Sequence, residues 1–388
     1  MPQLTRVSIL IALATLALSG PGCKKSANSG GESGAQSDII KIGEVGSMTG
    51  NEATFGMSTH QGIELAVKLI NEGGGIKGKK VQVIALDDQG KPDEAATAVT
   101  KLITQNGVSA ILGEVASGRS IAMAPVAQQY KIPMITPSST NPQVTSLGDY
   151  IFRVCFIDPF QGEVMAKFAH DNLKAAKVAI LRDVKNDYSV GLANYFEATF
   201  KKLGGEIVVD QSYSNGDVDF KAQLTAIRGK KPDAIFVPGY YTDVGLIGRQ
   251  ARELGIPAPL LGGDGWDSPK LKEIGGVAMN GSYFSNHYTS EDKSPVVQDF
   301  ISKFKKDYNV IPDGLGALGY DAMMVLADAM KRAKDLTGPN VRDEIAKTKD
   351  FQGVTGKISI NDKRDPVKSA VVLKIENGEF KYQTTINP

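Results

Sequence analysis

Cysteine, histidine and tryptophan are scarce in this 388-residue sequence, which holds two, three and one of them respectively. Two cysteines exclude a disulfide scaffold, and three histidines leave a multi-ligand zinc site short of donors. An excess of one charge is also missing. The 44 basic and 43 acidic residues nearly cancel, which argues against a nucleic-acid binder steered by net charge, although a local patch stays open. With 42 glycines and 18 prolines, usage is close to average, so collagen-like and low-complexity architectures are excluded. The apolar run at 7–18, twelve residues long and behind Arg6, is too short to span a bilayer and has the size of a secretory-signal core.

What is present is ample apolar material, 41% of the chain, enough for about two domains at roughly 150 residues each. Residues 1–22 read as a signal peptide that is absent from the mature protein. The small residues Ser19-Gly20-Pro21-Gly22 and then Cys23 resemble the end of a bacterial lipoprotein signal, in which that cysteine is lipidated. Gly20 stands where leucine is usual, and simple cleavage nearby is the alternative. Residues 23–37, rich in serine, glycine and lysine with no apolar period, form a flexible tether.

From Ile39 onward, short β-branched runs alternate with stretches of helical periodicity. Strands are expected at 39–45, 81–86, 110–112 and 134–136, with helices at 57–71, 92–106 and 120–130 between them. Pro92 suits a first helical turn, and Asn106-Gly107 suits a helix stop. A second series follows 150–156: strands at 178–182, 206–209, 234–237 and 260–261, and helices at 159–172, 191–203, 220–227 and 243–254. Uniformly apolar strands each followed by a helix imply parallel sheets covered on both faces. The fold class is therefore α/β, with two doubly wound parallel-sheet lobes in tandem. Helices at 295–308 and 320–333 then precede strands at 357–360, 370–375 and 380–384, the last two forming a hairpin about Asn377-Gly378.

Catalytic motifs are thin. Gly314-Leu-Gly316-Ala-Leu-Gly319 matches a dinucleotide-binding pattern but lacks the buried strand that would aim it, so small residues for close helix packing are the better reading. Ser117 lies in a glycine-flanked turn but without the first glycine of a nucleophile elbow. A lipoprotein hydrolase using it would need a histidine partner, whereas His60, His170 and His287 lie in polar or helical contexts suited to surface or capping roles. Cys155, between Val154 and Phe156, reads as a buried inert thiol. Asp87-Asp88 reads as a solvated or capping pair, not a metal site.

Ligands of open α/β sheets bind beyond the carboxyl ends of the strands, where helix N-termini present free N–H groups. Two first-lobe strand ends are rich in hydroxyls, at Ser117 and at Thr136-Pro137-Ser138-Ser139-Thr140. A second-lobe end carries Asp264 among glycines, next to Trp266, which is expected to shield it. Hydroxyls suited to a carboxylate on one lobe thus oppose an acid suited to an ammonium on the other, while capping and turn roles remain the plainer alternatives.

Across nearly the whole chain from Ile40, these segments come in an order that resembles the type I periplasmic binding proteins, specifically the leucine/isoleucine/valine-binding proteins. The resemblance is carried by Ile42-Gly43 through Thr49-Gly50 with Phe55-Gly56, Gly73-Gly74-Gly75-Ile76-Lys77-Gly78, Asp87-Asp88, Ile135-Thr136-Pro137, Gly239-Tyr240, Arg249-Gln250-Ala251-Arg252 and Gly319-Tyr320-Asp321-Ala322. It implies that Ser117 donates to the ligand carboxylate, that Thr140 binds it through amide and hydroxyl, and that the Ser138 carbonyl accepts from the ammonium. Tyr188 reaches the carboxylate from the second lobe, and Asp264, one methylene shorter than the family's common glutamate, pairs with the ammonium. Phe55, Val115, Ala116, Tyr240 and Leu315 line the side-chain pocket. A disulfide known in the family would fall at Gly90 and Ala116 and is missing. The resemblance further implies lobes of 38–157 plus 288–350 and 158–287 plus 351–388, joined by a three-crossover hinge. The implied function is that of a monomeric, membrane-tethered, non-enzymatic receptor without cofactor. It would capture an α-amino acid, branched-chain or otherwise aliphatic, for an ABC permease, with an amide, urea or small-solute receptor, or a sensory role, as alternatives.

Overall fold

Residues 39–388 are described by a computed structural model; the signal, Cys23 and the tether to residue 37 lie outside the described residues. The first sheet is built from β1 (Ile39–Gly46), β2 (Lys80–Asp87), β3 (Ala110–Leu112), β4 (Met134–Thr136) and β5 (Ile151–Arg153). Their order is β2-β1-β3-β4-β5, and every pairing is parallel. Helices α1 (Ala53–Glu72), α2 (Pro92–Lys101), α3 (Ser117–Tyr130) and the short α4 (Gln143–Ser146) fill the connections. Helix α2 starts at Pro92 with Asp93 and Glu94 in its first turn, and its wider last turn, 102–106, stops at a left-handed Gly107, as proline and acidic residues at an N-terminus and glycine at a C-terminus favour.

The second sheet follows α5 (Asp158–Lys167). It contains β6 (Lys177–Asp183), β7 (Glu206–Tyr213), β8 (Ala234–Phe236), β9 (Leu260–Gly262) and β10 (Tyr283–Asn286), with α6 (Asp187–Lys202), α7 (Lys221–Lys230), α8 (Tyr241–Glu253) and α9 (Pro269–Gly275) between them. After α10 (Pro295–Tyr308), α11 (Gly314–Arg332), α12 (Gly338–Ala346) and a small ribbon of β11 (Phe351–Gly353) and β12 (Gly356–Ile358), the chain returns to this sheet as β13 (Ala370–Glu376) and β14 (Glu379–Ile386). The order is β14-β13-β10-β9-β8-β6-β7, parallel up to β10 and then antiparallel. The hairpin turn is the expected Asn377-Gly378, both residues at positive φ. Strand β10 carries no expectation from the sequence: it is four residues long and only partly apolar.

Helix α11 begins at Gly314, six residues before the expected start, because its glycines are a packing surface. A methyl group at Gly62 of α1 would strike the Gly316 carbonyl, and one at Gly319 would strike the Thr59 carbonyl. The glycine-rich motif therefore serves helix contact and cradles no phosphate.

Residues 351–365, expected in the second lobe, are hydrogen-bonded to α11, to the turn after α12 and to β5 of the first sheet. Val354 and Thr355 donate to Asp321 of α11 at 2.7 and 2.9 Å, Ile360 donates to the Thr348 carbonyl, and Asp365 accepts from buried Arg153 at 2.6 Å. No helix among the described residues is long and apolar enough to cross a membrane.

Candidate functional site

Because the parallel strands of both sheets point their carboxyl ends at one crevice, the loops leaving β3, β4, β6, β8 and β9 converge there. Phe55, Val115, Ser117, Ser138, Tyr188, Tyr240, Asp264, Gly265 and Leu315 enclose one cavity. Ala116 faces a neighbouring recess with Gly90 and Arg119. Thr140 is off the cavity wall, with its hydroxyl buried, free of any well-formed hydrogen bond to the protein, and facing the Asp158 carboxyl.

On the first side, Ser117 opens α3 and its hydroxyl accepts from the Asn141 amide at 3.2 Å, while the Ser138 hydroxyl donates to the Val115 carbonyl at 3.2 Å. The Val115–Ser117 turn is held from behind. Buried Glu114 accepts from Ser47, from the Ala116 amide and from Arg119 Nε at 3.0 Å, and Arg119 Nη1 reaches Glu52 at 2.6 Å and the Gly90 carbonyl at 3.4 Å. Burial pushes the Glu114 carboxyl up. This ion-paired cluster ties together the two segments that a disulfide at Gly90 and Ala116 would have joined.

On the second side stands Asp264, only 6% exposed. Its Oδ1 accepts from Gln161 Nε2 at 2.8 Å and from the Tyr188 hydroxyl at 3.0 Å, and its Oδ2 lies 2.9 Å from His287 Nε2. Burial beside Asp264 pushes the Tyr188 phenol up, so it stays a donor. His287 corrects the expectation of a surface or capping histidine. It is buried, stacked on Phe156 at 3.7 Å, and its Nδ1 has no partner. Burial, outweighing Asp264, holds its pKa below the ordinary value. The neutral ring with hydrogen on Nε2 therefore donates to Asp264 without cancelling its charge. Three donors on two oxygens leave Asp264 one open acceptor direction, on Oδ2.

Sequence reading gives Gln161 no role and His287 only a surface or capping one. Gln161 sits one turn inside α5, and His287 follows the unforeseen β10. Trp266 also differs from expectation: its indole donates to the Val237 carbonyl at 3.0 Å and packs under Gly262, away from the cavity. His60 is half-buried on Glu44 at 2.7 Å, and His170 is surface-exposed on Asp171. Cys155 is buried, its thiol pushed up to about 12, and unreactive. Asp87 caps the 48–49 and Gln89 amides, and no acidic, histidine or cysteine cluster fit for a metal occurs among the described residues.

Aromatic rings form the rest of the wall: Phe55 meets Tyr240 edge-on at 5.5 Å, and Tyr188 stacks on Tyr240 at 5.3 Å. The two sides are closed on each other. Thr54 bonds Tyr241 and Ser268, Thr242 donates to the Asn51 carbonyl, Asn141 to the Asp187 carbonyl and Asn215 to Glu52. The space left inside is about 20 Å³, enough for roughly one water, so a larger ligand enters only when these contacts part and the rings shift.

The sequence matches the family model described as periplasmic binding protein over residues 39–379. It is 34% identical over 309 residues to the Leu/Ile/Val-binding protein homolog 3 of Brucella melitensis, covering 79% of this chain and 83% of that one. Among solved structures it is similar to the leucine binding protein LivK of Thermotoga maritima, with a TM-score of 0.86 and 44% identity over 90% of this chain and 99% of that one. It is similar also to the branched-chain amino acid transporter substrate binding protein LivJ of Streptococcus pneumoniae, in complex with isoleucine. There the TM-score is 0.86 and the identity 36%, over 90% of this chain and all of the other.

Proposed function

Because this chain belongs to the periplasmic binding protein family, we propose that it captures an aliphatic α-amino acid outside the cytoplasm and hands it, unaltered, to an ABC importer. The observation that carries the reading is the opposition across one closed crevice. Ser117 at a helix N-terminus, on the same wall as Ser138, faces Asp264, whose remaining acceptor direction suits one ammonium N–H. Relatives named for leucine, isoleucine and valine support the apolar side chain, as do Phe55, Val115 and Leu315 on the wall.

In this reading the first lobe comprises residues 38–157 and 288–365, and the second comprises 158–287 and 366–388. The third crossover is moved from 351 because Arg153 and Asp321 hold 354–365. Arg153 and Lys368, whose Nζ donates to the Val154 carbonyl at 3.0 Å, tie the first crossover to the third. An amino acid whose two charged ends touch opposite lobes stabilises only the shut form. Charge-assisted hydrogen bonds contribute about 1.5–3 kcal/mol each, and a micromolar ligand needs about 8 kcal/mol in all. The closed receptor then docks as a monomer on the permease, held at the membrane through a lipid on Cys23.

Calorimetric titration tests this. Leucine, isoleucine or valine should bind in the micromolar range or tighter, and 4-methylpentanoate, leucine without its ammonium, at least about tenfold more weakly. Asp264→Ala should remove leucine binding while the thermal unfolding profile persists. Tight binding of urea or a simple amide, with none of leucine, overturns the reading.

A further inference from the structure

A concavity much roomier than the crevice lies beside it, not inside it. A groove of about 550 Å³ runs between α1 and the α10–α11 loop on one side and β10, β13 and β14 on the other. That volume is in the range of small-molecule sites, about 300–1,000 Å³. Phe304, Ile311 and Phe380 give it an apolar length, with Ile311 61% exposed at its rim.

Three carboxyl groups sit on its lining, Asp267, Asp313 and Glu379. Asp267 Oδ2 accepts from Asn286 Nδ2 at 2.8 Å and from the Gly314 amide at 2.7 Å, leaving Oδ1 without a hydrogen bond among the described residues. Asp313 accepts from the Ser58 hydroxyl and from the Gly316 amide at 2.9 Å. A second observation points the same way. Tyr288, 5% exposed and on the same lining, has a buried hydroxyl with no partner, and the charges of Asp267 and Asp313 both act on it. No lysine or arginine among the described residues pairs with Asp267 or Asp313; the nearby Lys272 is turned to Glu379 at 3.7 Å. Burial, and then repulsion by Asp313, push Asp267 up to about 7. A cation placed between the two relieves that repulsion.

We propose that this groove is a second ligand site, for a primary organic ammonium. The NH3+ head donates to Asp267 Oδ1, to Asp313 and to the phenol oxygen of Tyr288, and its hydrocarbon tail lies along Phe304, Ile311 and Phe380. The cation on the lining, Lys272, is held by Glu379 at 3.7 Å and lies over the Phe380 ring, and the Gly314 amide is already taken by Asp267. The class is therefore amines without an acid group, a different chemistry from the zwitterion of the crevice.

The test is calorimetric titration at pH 8.5, above the Asp267 value, with n-hexylammonium chloride and, as the charge control, sodium hexanoate. Hexylammonium should bind the wild-type protein and Asp264→Ala alike, since Asp264 belongs to the crevice, and hexanoate should give no heat. Asp313→Asn, which keeps the helix cap and the Ser58 contact, and Tyr288→Phe, which removes one oxygen, should each weaken hexylammonium about tenfold or more with unchanged melting curves. The site is overturned if hexylammonium gives no heat, if both variants bind as the wild type does, or if Asp264→Ala abolishes the heat, which would place the amine in the crevice. Binding of Mg2+ or Ca2+ with the same variant dependence, and none of hexylammonium, overturns the organic class.

Discussion

A carboxylate serves an ammonium well only if its own neighbours aim it without neutralising it. Asp264 meets that condition through Gln161, Tyr188 and His287, all uncharged donors in a dry setting. Its side chain is one methylene shorter than glutamate, so the aim set by these three decides whether it reaches the ligand. His287→Phe keeps the stack on Phe156 but removes the Nε2 donor. Leucine affinity should fall about tenfold, with partial recovery in His287→Gln, whose amide restores a donor. Equal affinity in His287→Phe would show that the histidine only fills space. Gln161 and His287 were not legible in the sequence because what singles them out is contact between segments 103 and 23 residues from Asp264. Ser117 and Asp264, by contrast, stood at strand ends whose chemistry could be read locally.

Secondary structure was read best where apolar period and end signals agreed, as in α2 with Pro92 and Gly107, or the β13–β14 hairpin with Asn377-Gly378. It was read worst where tertiary packing overrides propensity. The glycines of α11 discourage helix by about 1 kcal/mol each in isolation, yet they permit α1 to approach at Gly62 and Thr59. Strand β10 has too few apolar residues to stand out and exists because β9 and β13 flank it. The α1–α11 contact makes its own prediction. Gly62→Ala or Gly319→Ala forces backbone atoms apart and should destabilise by about 1–3 kcal/mol or more, measured by denaturant unfolding, whereas Gly74→Ala, with open space around it but a positive φ, tests strain alone. A Gly62→Ala protein as stable as the wild type would mean that the helices separate freely.

For the molecule as a whole, buried acids without a cation of their own set the pH response. Burial pushes Asp158 up to about 8 and Asp243 to about 7, the latter raised further by Asp183 and Glu52. Folding thus favours their protonated forms. The stability they contribute is complete below the unfolded value near 3.8 and is lost as pH rises through about 7–8. The melting temperature should therefore be lower at pH 8.5 than at pH 6.5, and Asp243→Asn should flatten the difference; a higher melting temperature at pH 8.5 would contradict the assignment. The threading of the chain has a separate outcome. Helix α1, made early, finds its partner α11 only about 250 residues later, and contacts so distant in sequence form slowly. A nascent chain emerging from the ribosome consequently lacks the surface on which its first segments settle until synthesis is almost finished. A polypeptide that stays unsettled for so long remains threadable through a translocation pore, and its final shape is left to be reached on the far side.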